Sequence, residues 1–128
     1  MTQKDKDLLL KDLCARLPYG VKVQMADGAI EELLNVNVNT FICNGLKGLP
    51  KPYLFPLSSM TEEQKRYISD RWGINEYFDF EINPDWGEYF VELGDAVNFI
   101  DWLNENGFDY RGLIPKGLAI DATGKNIY

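Results

Sequence analysis

Between residues 4 and 17 the apolar positions recur with a helical period. Leu9, Leu10, Leu13, Cys14 and Leu17 fall on one stripe, while Lys6, Asp7 and Lys11 lie off it. Asp5 and Asp7 near the start and Arg16 near the end suit the helix dipole. Pro18 stops the helix. The period then changes to two: Val21, Val23 and Met25 alternate with Lys22 and Gln24, the mark of a half-buried strand. Ala26-Asp27-Gly28 follows as a turn, with Asp-Gly the favoured hairpin dipeptide. Alternation resumes, which predicts a second strand from about Ile30 to Thr40. Leu34, Val36 and Val38 take one of its faces and Asn35, Asn37 and Asn39 the other. A third strand is expected over Phe41–Cys43, before the Gly- and Pro-rich loop "NGLKGLPKP".

The stretch "PYLFP" reads as extended, and a second helix is predicted over 61–72. Thr61 and Gln64 have capping-box spacing, Glu62 and Glu63 occupy the positive end, and Glu62 stands four residues before Arg66. Tyr67, Ile68 and Trp72 form its packing stripe, and Gly73 is a left-handed terminator. Over 77–82, Tyr77, Asp79 and Glu81 alternate with Phe78, Phe80 and Ile82, a further strand. "NPDWG" is a turn, after which 88–93 returns either as a strand or as a helical face carrying Tyr89, Phe90 and Leu93. Asp95 is placed to cap a third helix over 96–106, with Ala96, Phe99, Ile100 and Leu103 inward and Asn98, Asp101 and Glu105 outward. These elements predict one α+β domain: a small curled antiparallel sheet covered by about three helices, with a partly closed SH3-like barrel as the alternative form of the sheet.

Directly after the third helix the chain reads "NGFDYRGLIPKG". Gly107 falls where a left-handed residue is wanted, and Phe108 where a contact back onto the helix is usual. Asp109 can cap a short turn over 110–114 ahead of Pro115. The Tyr110 ring can be buried if its hydroxyl finds a partner. Arg111 can pair with Asp109 or Asp101, or bond the free carbonyls of the helix. Each residue therefore has a structural task. The rival reading is an anion site built on Arg111, with Tyr110 as donor and Lys116 as the second cation.

Charge and composition narrow the function classes. The chain has 128 residues, 45% hydrophobic and 13% aromatic, enough for a core without staples, and a formal charge of −7. Residues 72–110 hold ten acids and no Lys or Arg. That field repels phosphate backbones and attracts a basic surface, so no direct nucleic-acid binding is expected. Cys14 and Cys43 stand far apart, which predicts two buried thiols in a reducing compartment and no disulfide framework. No apolar run has membrane-spanning length, and the charged start carries too short an apolar run for a signal peptide, so a cytoplasmic location is expected.

The absence of histidine removes the usual Ser-His-Asp and Cys-His machinery and most zinc and non-haem iron sites. No phosphate-loop or dinucleotide fingerprint occurs, and no cofactor is expected. "DFEINPDWGEYFVE" offers alternating oxygens, but its glycine sits at the ninth place instead of the sixth, against a calcium loop. Acidic pairs for carboxylate catalysis would need a cleft and a raised pKa on one member.

Three blocks, "DLLLKDLCARLPYGVKV", "KPYLFPLSSMTEEQKR" and "FIDWLNENGFDYRGLIPKGLAID", resemble a family of short uncharacterised proteins encoded in gut Bacteroides-type genomes, often in phage-like or mobile regions. The resemblance implies a bacterial cytoplasm and a mobile-element setting, and it carries no activity. The leading expectation is a small non-enzymatic interaction or accessory protein that meets a basic protein partner through Glu76, Asp79, Glu81, Asp85, Trp86, Glu88 and Tyr89; a DNA-mimicking inhibitor is its sharper form. The second expectation is a ligand-binding module using the Asn35, Asn37 and Asn39 strand face, and the third a carboxylate-dependent enzyme.

Overall fold

The computed structural model describes residues 2–72 and 93–128. It is an α+β fold. Helix α1, Gln3–Arg16, opens with a full capping box: Asp5 N donates to the Thr2 hydroxyl and Thr2 N donates to the Asp5 carboxylate. A 3₁₀ turn at Leu17–Tyr19 has Pro18 as its second residue and ends on Gly20, whose φ is +73°. Strands β1, Lys22–Gln24, and β2, Ile30–Glu32, form the expected hairpin around Asp27-Gly28. Gly28 takes φ +88°, and Asp27 accepts from Ala29 N.

After that hairpin the structure corrects the sequence reading. Residues Asn35–Cys43 form helix α2, in place of a strand to Thr40 and a third strand over 41–43. The Asn37 side chain accepts from Leu34 N at 3.0 Å and so closes the first turn, while the Thr40 hydroxyl donates to Val36 O. Leu34, Val38 and Phe41 satisfy the i, i+4, i+7 spacing as well as Leu34, Val36 and Val38 satisfy alternation. Of the residues within α2, only Val38 is buried. With little packing to enforce a sheet register, the locally satisfied helix prevails.

Strand β3, Lys51–Pro56, is the "PYLFP" stretch and the centre of the sheet. It pairs antiparallel with β1, and parallel with both β4, Phe108–Asp109, and β5, Ile120–Asp121. Phe55 N donates to Gly107 O, whereas Leu54 O accepts from Ala122 N. Leu54 C=O and Phe55 N–H belong to one trans peptide group and point to opposite edges of the strand, so β4 and β5 flank β3 on opposite sides. Among the described residues the sheet is thus mixed and does not close into a barrel: the antiparallel expectation fails because two short C-terminal strands insert parallel to β3. Helix α3, Glu62–Trp72, carries the Thr61–Gln64 capping box in both directions. Helix α4, Leu93–Glu105, starts early enough that Asp95 lies in its first turn instead of ahead of it. Four α-helices are therefore present among the described residues, one more than expected. The expected strand 77–82, the 83–87 turn, the alternatives for 88–92 and the Gly73 terminator lie outside the described residues.

Among the described residues, two apolar clusters build the core. One gathers Leu9, Leu13, Val23, Leu33, Val38, Leu54, Leu113 and Leu118 around the sheet and α1. The other gathers Leu57, Met60, Ile68, Phe99, Leu103, Phe108 and Tyr110 between α3 and α4. Cys14 and Cys43 are both exposed, against the expectation of buried thiols. On α1 the inward positions are 9, 12, 13 and 16, which leaves Cys14 on the solvent side.

Candidate functional site

The inward stripe of α1 contains two charged residues. Asp12 and Arg16 stand one turn apart, aligned with Leu9 and Leu13, and both are 0% exposed. Arg16 Nε donates to Asp12 Oδ2 at 2.8 Å, and Arg16 Nη2 donates to the carbonyl oxygen of Phe108 at 2.6 Å. Arg111 Nη1 donates to the other Asp12 oxygen at 2.7 Å. Two guanidinium groups thus share one carboxylate. The Tyr110 ring lies against both, 4.6 Å from Arg111 Cζ and 5.4 Å from Arg16 Cζ, close enough for cation–π attraction.

The segment that meets α1 is itself held rigidly. Gly107 adopts φ +74° after α4, and Phe108 stacks on Trp102 with ring centroids 5.8 Å apart. Asp109 is buried, and its two oxygens accept from Leu113 N at 3.0 Å and Ile114 N at 2.9 Å. The Tyr110 hydroxyl donates to Asn104 Oδ1 at 3.0 Å. Both oxygens of Asp12, both of Asp109 and the Tyr110 hydroxyl proton are therefore taken by the chain itself. The cluster joins the two apolar cores: its acid comes from α1 in the first, and Phe108 and Tyr110 belong to the second.

Burial pushes the Tyr110 phenol above its ordinary pKa, and the Arg111 guanidinium pulls it part of the way back. Above about pH 10 the unfolded phenol loses its proton before the folded one does, so the native state binds more protons and stability falls as pH rises. Urea unfolding between about pH 9 and 11 should show this decline, and Tyr110→Phe should flatten it; an unchanged slope in the variant would remove Tyr110 as its source.

The anion site expected at Tyr110, Arg111 and Lys116 does not assemble. Arg111 spends its Nη1 on Asp12, Tyr110 turns its hydroxyl to Asn104, and Lys116 is exposed on the turn after Leu113 without an ion pair among the described residues. Asp109 and Asp101 are likewise not the partners of Arg111: Asp109 caps backbone amides, and Asp101 faces solvent on α4. The asparagine face is also lost, because positions two apart on a helix point in different directions. Asn35 and Asn39 are exposed while Asn37 caps α2. Glu76, Asp79, Glu81, Asp85, Trp86, Glu88 and Tyr89 lie outside the described residues. Sequence reasoning missed Asp12 and Asn104, and gave Arg16 only a dipole role. The i, i+3, i+4, i+7 alignment of Leu9, Asp12, Leu13 and Arg16 was the available signal.

Beside Arg16 lies a cavity of about 260 Å³ lined by residues that include Tyr19, Phe55, Asn104, Glu105, Asn106 and Tyr128. The Tyr128 hydroxyl accepts from Lys22 N at 2.9 Å and donates to Tyr53 O at 2.8 Å, which fixes that ring beside the sheet. Among the described residues no cluster of His, Cys, Asp and Glu is arranged to hold a metal ion, and no helix is long and apolar enough to cross a membrane. Comparison with known proteins finds no family model, no curated protein and no solved structure that matches this chain.

Proposed function

We propose that the protein is a small non-enzymatic interaction or accessory protein that presents an acidic surface to a basic protein partner. The observation that carries this reading is the fate of the charges. Asp12, Arg16 and Arg111 are tied to one another, while the acids of the 72–110 stretch have no cation within that stretch to neutralise them. On α4, Asp101 and Glu105 are exposed and make no ion pair among the described residues. Like charges of this density favour encounter with a cationic surface and discourage self-association. Glu76, Asp79, Glu81, Asp85 and Glu88 extend the same field along the sequence, and Trp86 and Tyr89 supply apolar anchors of the kind that interfaces use. The resemblance of the three sequence blocks to short proteins of Bacteroides-type mobile elements suggests the bacterial cytoplasm as the setting.

A lysine-rich test peptide should bind the protein, and the affinity should fall steeply as salt rises from about 0.05 to 0.5 M. Changing Glu76, Asp79, Glu81, Asp85 and Glu88 to their amides should abolish most of that binding and its salt dependence. Affinity that ignores both ionic strength and the amide substitutions would contradict the reading.

A further inference from the structure

Strand β2 is an edge of the sheet, paired among the described residues with β1 alone. The ladder between them fixes which way each peptide group points. Leu33 N donates to Val21 O at 3.0 Å, Met25 N donates to Ala29 O at 2.8 Å, and Glu31 stands opposite Val23 midway between. Bonded and non-bonded pairs alternate in an antiparallel ladder, so Ile30 and Glu32 turn their N–H and C=O groups away from β1. Neither residue makes a backbone hydrogen bond among the described residues. Four main-chain groups are thus open along this edge, and no Pro or Lys guards residues 29–34. Leu34 continues the extended backbone with φ −116° and ψ 158°, so Ile30, Glu32 and Leu34 share the face opposite the buried Leu33. Ile30 and Leu34 are 53% and 52% exposed. Glu31 and Glu32 are exposed and in no ion pair among the described residues. Lys22, directly across from Glu32, donates instead to Ile127 O at 2.8 Å.

We propose that this edge receives an extended basic segment of a partner protein, added antiparallel to β2 as a further strand. Main-chain bonds to Ile30 and Glu32 supply the pairing, and side chains supply the selectivity. Residues opposite Ile30 and Leu34 meet exposed apolar side chains, and residues opposite Glu31 and Glu32 meet carboxylates without a counter-ion. The matching segment therefore carries two adjacent Lys or Arg flanked by β-branched residues. A second copy of this chain fits badly. Antiparallel self-pairing about Glu31 or Glu32 sets that carboxylate directly opposite its own copy, which is unfavourable. Self-pairing about Ile30 opposes Glu32 to Gly28 in the hairpin turn and forfeits the Glu32 bonds. The net charge of −7 adds to the repulsion between copies. The edge lies outside the 76–105 acidic stretch, and pairing to it depends on the partner's main chain as well as its charge, so the two surfaces succeed or fail separately.

The test is fluorescence anisotropy with the labelled peptide acetyl-Thr-Val-Thr-Lys-Lys-Val-Thr-amide, which sets its two Val against Leu34 and Ile30 and its Lys pair against Glu32 and Glu31. Saturable binding is expected. N-methylation of the two amides that face β2, at the first Lys and the second Val, should weaken it at least about tenfold. N-methylation of the second Lys, whose amide points away from β2, should change it by less than about twofold. Glu31→Lys combined with Glu32→Lys should lose this peptide and bind the counterpart in which Glu replaces both Lys. Ile30→Pro removes one open N–H without touching the β1 ladder, so it should keep the circular dichroism spectrum and weaken binding. Equal affinity for the two methylated peptides, or an affinity indifferent to the Glu31 and Glu32 substitutions, would overturn the proposal. So would a dimer in sedimentation that Ile30→Pro dissolves, since a second copy would then be the occupant. Binding that ignores N-methylation but disappears when Glu76, Asp79, Glu81, Asp85 and Glu88 become amides would overturn edge pairing and support the acidic surface instead.

Discussion

Asp12→Ala is expected to destabilise the fold by about 3–5 kcal/mol, because it leaves Arg16 and Arg111 side by side without their shared anion. The side chain of Arg16 is 1% exposed and that of Arg111 16%, so water cannot replace the lost carboxylate at Arg16 and does so only in part at Arg111. Asp12→Ala therefore removes a partner and leaves the charges, the costly way to break a buried pair. The combined replacement Asp12→Met, Arg16→Met, Arg111→Met removes charge and partner together and should recover most of the loss, since apolar side chains of similar volume commonly substitute for buried ion clusters at little net cost. Denaturant unfolding of the two variants beside the parent measures both effects. If Asp12→Ala and the triple variant were equally unstable, packing at these positions would outweigh the ionic pairing.

Phe99→Ala should cost a similar amount, about 3–5 kcal/mol, for a different reason. Phe99 is fully buried on α4 and packs between Trp72 and Trp102, with ring centroids at 5.2 Å and 6.4 Å. Rings of this size in contact with other rings bring both area burial and edge or stacking terms. Their removal opens a void that the neighbouring indoles cannot fill without leaving their rotamers. Phe99→Leu should restore a large part of the loss, and an Ala variant within about 1 kcal/mol of the parent would show that the second core collapses readily around the site.

How much of this was legible in the sequence differs by residue. Local signals held. Thr61 and Gln64 form their box, Asp27-Gly28 turns its hairpin, Gly107 ends α4 in the left-handed region, and Asp109 caps the turn that follows. Each depends on atoms a few residues apart, so spacing suffices to foresee it. Asn35–Cys43 failed because its apolar residues satisfy both a period of two and a helical spacing, and so little of the segment is buried that packing does not discriminate. The parallel pairing of β3 with β4 and β5 was out of reach for another reason. Two-residue strands carry no periodicity, and their register comes from partners more than fifty positions away, such as Phe55 with Phe108. Arg111 was assigned a neighbour in sequence, Asp109 or Asp101, but its partner Asp12 is 99 positions away. Charge alone did not distinguish a buried acid on a helix stripe from an exposed one beside it, although Asp12 lay in register with Leu9 and Leu13.

The central claim is that Asp12, Arg16, Asp109, Tyr110 and Arg111 fasten α1 to the segment after α4. A double-mutant cycle of Asp12→Ala with Arg111→Ala, read by denaturant unfolding, tests it most directly. The structure predicts a coupling of about 1–3 kcal/mol between two residues 99 positions apart, whereas single effects that simply add, to within about 0.5 kcal/mol, would contradict the brace.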